Sequence, residues 1–208
     1  MRDAGATYDP SKNPFTPVEP GVYPAHITGL SEREVSTKAG DAIVLNMTYK
    51  IAEEAGNLVQ MCYEMDGYEY VTDDKGNRVP LMNGDGKQSS IKCTHLVGRE
   101  YRDNGTFVFI NNESAGKNKR YFNFLENIGV KLNENEDGTF PLEIVEEEDV
   151  VGLPVFVKLG TEEYVTADTK DLPEDQQEKR KAWKVFNVQS WKDGERISSS
   201  ELEEDLPF

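Results

Sequence analysis

The clearest alternation along the chain runs from Ala42 to Ile51. Ile43, Leu45, Met47, Tyr49 and Ile51 fall on one side of it, and Val44, Asn46, Thr48 and Lys50 on the other. A period of two predicts a half-buried antiparallel strand. Upstream, Gly21 to Leu30 places Val22, Ala25 and Ile27 among polar residues, and Pro24 marks that strand as an edge or the site of a bulge. A polar stretch, Ser31 to Asp41, joins the two strands. Leu58 to Met65 is a third strand candidate. Asp66 to Ser90, rich in Gly, Asp and Asn, predicts one or two inserted hairpins turning at DDKGN and NGDGK. Arg99 to Ile110 predicts another hairpin, with Asp103-Asn104-Gly105 at its turn and Tyr101, Phe107 and Phe109 at alternate positions.

Helical periodicity is convincing in one place. From Ser114 to Leu132, Tyr121, Phe124, Leu125 and Ile128 form an apolar stripe; Ser114 is a candidate cap and Gly129 a stop. Beyond an acidic loop, Pro154 to Leu159 predicts a strand, Gly160 to Lys181 a long polar insertion, and Ala182 to Lys192 a last strand. That strand should set Trp183, Val185, Asn187, Gln189 and Trp191 on one face and Lys184, Phe186 and Val188 on the other.

These signals divide the chain into a Pro-containing arm (residues 1–20), a mainly β domain (21–192) with insertions at 66–90 and 160–181, and a tail (193–208). The tail carries Glu201, Glu203, Glu204 and Asp205 and ends on Leu206-Pro207-Phe208. It holds too little apolar surface to offset its ordering entropy, which predicts a disordered acidic segment. Its apolar tip and terminal carboxylate suit capture by a partner protein.

Charge sharpens the picture. The net charge of −16 argues against phosphate as a partner. The acidic residues, however, concentrate in the tail and in Glu143 to Asp149. Between Lys87 and Lys131 eight basic residues face four acidic ones, and over a Debye length of ~8–10 Å the local field is what a bound strand feels. No run approaches the ~18 apolar residues of a membrane span. With the two cysteines, Cys62 and Cys93, setting no disulfide framework, a protein of the reducing cytoplasm is expected, without membrane attachment.

The tip Glu203-Glu204-Asp205-Leu206-Pro207-Phe208 resembles that of bacterial single-stranded DNA-binding proteins. The succession GVYPAHI, AIVLNMTYKI, a helix ending FLENIGV, then VGLPVFVKL and WKVFNVQSW is similar to phage-encoded OB-fold single-stranded DNA-binding proteins. The resemblance implies a five-stranded Greek-key OB barrel with one helix between strands three and four. It also implies a role in replication or recombination in a host cell's cytoplasm, as a possible homo-oligomer, with other replication or recombination proteins recruited by the tip.

A binder of single strands needs cations for phosphates and aromatic faces for bases. By the resemblance, Ser31 to Asp41 contributes Arg33 and Lys38, and Gly160 to Lys181 contributes Tyr164, with Trp183 and Lys184 at its end. Arg99, Tyr101, Arg102, Phe107 and Phe109 interleave both residue types in one stretch, although the alternation of the two Phe equally suits core packing. Tyr49, on the strand Ala42 to Ile51, and Lys158, on the strand Pro154 to Leu159, join the candidate set. Lys117, Lys119 and Arg120 oppose the dipole at a helix start, where a bound anion would compensate.

Chemistry beyond binding has little footing. Cys93-Thr94-His95 with Cys62 and His26 offers zinc-type donors but lacks the paired short spacings of zinc ribbons, so buried thiols are the simpler reading. The Glu146 to Asp149 carboxylates point in different directions, and neither histidine stands in a nucleophile motif. A non-enzymatic protein without metal or cofactor is expected. The alternative reading is an acidic interaction protein or DNA mimic whose charge faces a basic host protein.

Overall fold

The computed structural model describes residues 18–66, 69–110 and 116–198. In chain order its strands are β1 (Gly21–Thr37), β2 (Gly40–Ile51), β3 (Val59–Met61), β4 (Met65–Asp66), β5 (Glu69–Tyr70), β6 (Ser90–Lys92), β7 (Glu100–Arg102) and β8 (Thr106–Phe109). The helices α1 (Lys119–Ile128) and α2 (Glu147–Val150) follow, then β9 (Pro154–Val165) and β10 (Lys179–Ser190). The fold is mainly β, with one main helix.

One antiparallel sheet dominates, in the order β10-β9-β1-β2-β7, with β8 also on β2. Its inner face carries Ala25, Ile27, Leu45, Met47, Tyr49, Ile51, Val155, Val157 and Leu159, all essentially inaccessible to solvent. α1 closes this core with Tyr121, Leu125 and Ile128. Gly129 ends the helix in the left-handed region (φ 84°), and the amide of Val130 reaches back to the Leu125 carbonyl, as predicted from the glycine. Between β7 and β10 the described residues share a single isolated parallel bridge, Asp103 with Val185. No ladder closes the sheet into a barrel there.

Four boundaries differ from the sequence reading. β1 runs on to Thr37, and Ser31 to Asp41 is a hairpin arm with only Lys38 and Ala39 at its turn. β9 and β10 extend in the same way: Lys179, Arg180 and Lys181 pair with Val165, Tyr164 and Glu163, so much of the 160–181 insertion is strand. Both extensions carry polar side chains because they run beyond the core and are held by backbone bonds. At the N-terminal boundary, Val18 is buried and Glu19 bonds Tyr70 and Arg78, whose guanidinium lies 3.9 Å from the Tyr70 ring centre. Those two residues belong to the body, not to an arm.

The fourth boundary is the tail's. Ile197 donates its amide to Gly152 O at 3.1 Å, and Arg196 donates to the carbonyls of Glu148 and Val151, so residues 193–197 pack on the turn after α2. A Cβ on Gly152 would lie 2.0 Å from Ile197 O, which is why glycine stands there. The acidic tip and Ser114 lie outside the described residues.

The 62–90 region does form hairpins, turning where the side chains of Asp73 and Asn83 each accept two backbone amides. Apart from the short β4-β5 pair, its segments satisfy one another in threes. The amide of Glu64 donates to Val79, Val79 to Val71 and Val71 back to Glu64; Cys62, Ser89 and Leu81 close a second such triangle.

Candidate functional site

Arg99 to Ile110 is not a hairpin. β7 and β8 both pair antiparallel with β2, at Thr48 to Lys50 and Ala42 to Leu45 respectively, and Asp103 to Gly105 is a break within one strand. The reason lies in the Asp103 side chain. Its Oδ1 accepts the amides of Met47 (3.2 Å) and Gly105 (3.0 Å), and Oδ2 accepts the Tyr49 hydroxyl (3.0 Å). The carboxylate thus stands in for backbone partners that the break removes. Burial pushes its pKa up, and those same hydrogen bonds oppose the rise.

Directly opposed residues of a sheet share a face. Arg33, Val44 and Phe107 form one row, Val35, Ala42 and Phe109 the next, and Gly29, Thr48 and Arg102 another. These rows lie on the side away from Leu45, Met47 and Tyr49. The outward face of β1 and β2, with β7 and β8 beside them, therefore carries Arg33, Arg102, Phe107 and Phe109, with Glu100 beside Lys50 at its far end. The Phe107 and Phe109 rings are stacked, with centroids 6.3 Å apart and planes 22° apart, and Phe107 is 38% exposed.

The residues leading into α1 tie the helix to this face. Asn118 is buried and pairs with Phe109 as a strand would: Oδ1 accepts its amide at 2.8 Å and Nδ2 donates to its carbonyl at 2.9 Å. The preceding Lys117 consequently holds its ammonium 5.6 Å from the Phe109 ring centre, where it donates to Ala39 O at the β1-β2 turn (2.6 Å). Lys38 is exposed at that turn.

Other predicted site residues do not join this face. Tyr49 and Tyr101 are buried on the inner side, so neither can stack a base; both count as core residues. Arg99 is exposed but bonds the Tyr101 hydroxyl. Lys158 and Lys184 are on β9 and β10, where they pair in register with Val22 and Gly160. Tyr164, 46% exposed, lies opposite Arg180 far along that hairpin, and Arg180 is ion-paired with Glu178 at 2.8 Å. Trp183 is partly buried against the core. Lys119 and Arg120 are exposed on the first turn of α1.

β10 holds a further correction. Its register skips at Phe186, a bulge that turns both Val185 and Val188 inward and leaves Phe186 52% exposed. Strict alternation had placed Val188 opposite to Val185. The roles of Asn118 and Asp103 were also not foreseen: a polar residue beside a helix start reads as a cap, and Asp-Asn-Gly reads as a hairpin turn.

The zinc-type donors are dispersed in use. His26 Nε2 lies 3.1 Å from Glu195 O, and the Cys93 thiol lies 4.0 Å from the Gln60 side-chain oxygen. Among the described residues no three His, Cys, Asp or Glu side chains gather as a metal site, and no helix is long and apolar enough to cross a membrane. No protein-family model, no curated protein and no solved structure matches the chain.

Proposed function

We propose that this chain is a non-enzymatic single-stranded DNA-binding protein that lays its strand across the outward face of β1-β2-β8. The observation that carries the reading is the stacked Phe107-Phe109 pair, outward-facing, with Arg33 and Arg102 on the same face and Lys117 over the second ring. Rings accept bases of any sequence while the cations meet phosphates. Strand order supports an OB-type barrel as the scaffold. Taking β7 and β8 as one broken strand, β1 pairs with β2 and β9, β9 with β10, and the third strand meets the fifth through the Asp103-Val185 bridge. The acidic tip, as in the phage proteins it resembles, would recruit replication or recombination partners.

Fluorescence anisotropy of a labelled dT strand of about 30 nucleotides, at 50 and 200 mM salt with duplex competitor, tests the reading. The strand should bind in preference to duplex and more weakly at the higher salt. Phe107→Ala/Phe109→Ala should lose about thirtyfold or more, at ~1–3 kcal/mol for each of two stacked bases. No binding at 50 mM salt, with or without residues 198–208, would sink the proposal and favour an acidic protein that meets a basic partner.

A further inference from the structure

A cleft of about 320 Å³ lies where three irregularities meet: the strand break at Asp103 to Gly105, the bulge at Phe186, and the outer side of α1. That volume is at the lower end of the ~300–1,000 Å³ of small-ligand sites. Arg120, Asn123 and Asn127 recur at helical spacing and bring one polar stripe of α1 to the cleft, and Asn104 and Asn187 line it from the strands. Among the described residues none of these four asparagine side chains has a hydrogen-bond partner, whereas Asp103 directs its carboxylate to Met47, Tyr49 and Gly105. The cleft's available groups are thus four carboxamides, one guanidinium and the bulged Phe186 ring.

Each element of that set has a reason to face the cleft. The bulge keeps the Phe186 side chain out of the core, with its ring over Gly160 on β9 at the edge of the cleft, and the break exposes Asn104. Carboxamides offer a donor next to an acceptor, the arrangement that a nucleobase edge presents in return. A guanidinium at the same rim suits a phosphate. Asp103 is the one carboxylate in the lining, and the hydrogen bonds it accepts from Met47, Tyr49 and Gly105 spread its charge.

We infer that this cleft takes one nucleobase out of the bound strand, its edge against Asn123, Asn127 and Asn187, its ring beside Phe186, and its phosphate on Arg120. The inference rests on the single-strand reading above and adds to it: the Phe107-Phe109 face is indifferent to sequence, and the cleft makes one position of the site sensitive to the base it holds.

The test uses the full chain and Asn123→Ala/Asn127→Ala, both exposed helix positions where alanine favours the helix. Affinities are measured for dA, dC and dT 30-mers and for an abasic 30-mer of the same backbone. The double variant should lose about tenfold on the strands whose base the cleft prefers, narrow the differences among the homopolymers, and bind the abasic strand as the native protein does. Arg120→Ala should weaken all four strands together.

Three results overturn the inference. An equal loss on the abasic strand would reduce the cleft to a backbone contact, and unchanged affinity for every strand would leave it without a role while the Phe107-Phe109 face stands. Failure of the native protein to bind any strand would remove the single-strand reading and the inference together.

Discussion

Two side chains act here as backbone. Asn118 satisfies both polar groups of Phe109, and Asp103 satisfies two amides and a hydroxyl across the strand break. Asn118→Ala leaves a buried amide and carbonyl unpaired and should cost about 2–4 kcal/mol by urea unfolding; it should also free Lys117 from the Phe109 ring and weaken strand binding. Asp103 gives a pH signature. Buried, its carboxyl ionises at higher pH than in the unfolded chain. Between the two pKa values the native protein keeps a proton that the unfolded chain has released, so this group's contribution to stability falls as pH rises through that window and is flat above it. Asp103→Asn cannot ionise and keeps an acceptor for the two amides. Unfolding measured from about pH 3.5 to 6.5 should therefore show the Asn variant gaining on the native protein as pH rises, then a constant difference. Parallel curves would remove Asp103 from the pH dependence.

At the scale of elements, irregularities matter more than the regular ladders. Because the bulge turns both Val185 and Val188 inward, Val188→Asp puts a charge into the core and should cost about 3 kcal/mol or more, whereas Phe186→Ser should change stability by less than about 1 kcal/mol. Urea unfolding of the pair separates bulge from regular strand, since strict alternation puts Phe186 and Val188 on one face and predicts like effects for the two. Gly105 sits in the break with φ 85°, and a Cβ there would come within 2.5 Å of Val44 Cγ1 and 2.8 Å of Asn46 Nδ2. Gly105→Ala should cost about 2–4 kcal/mol, strain and overlap together. These same elements mark where the sequence was legible. β2 and α1 were, because each buries one face and the period records it: Leu45, Met47, Tyr49 and Ile51 in one, Tyr121, Leu125 and Ile128 in the other. The ends of β1, β9 and β10 were not, since beyond the core both faces meet water and polar side chains carry no period. The break at Asp103 was misread because its evidence lies in partners from β2, more than fifty residues upstream. Of the candidate site, Arg33, Arg102, Phe107 and Phe109 were legible as types, but only register placed them on one face and moved Tyr49 and Tyr101 off it.

Over the whole molecule the question is how a chain of net charge −16 would hold a polyanion. The proposed face needs few phosphates: Arg33, Arg102 and Lys117, with Lys38 at the neighbouring turn, give about three or four contacts. For single strands the logarithm of affinity should then fall with the logarithm of salt at a slope of roughly −2 to −3, or about −3.5 with Arg120 of the cleft included. A much steeper slope would place the strand elsewhere, on a surface with more cations than this face owns. Four carboxylates of the 39 acidic residues sit between Glu201 and Asp205, a few residues beyond Ile197, which docks on Gly152. If they compete with DNA for the cations, removal of residues 198–208 tightens binding at 50 mM salt, and the gain fades toward 200 mM because both rivals are screened alike. A gain that persisted undiminished at high salt would mean the tail blocks the face by bulk instead of charge. Unchanged affinity at both salts would confine the tail to recruiting partners, leaving the Phe107-Phe109 face to bind its strand unopposed.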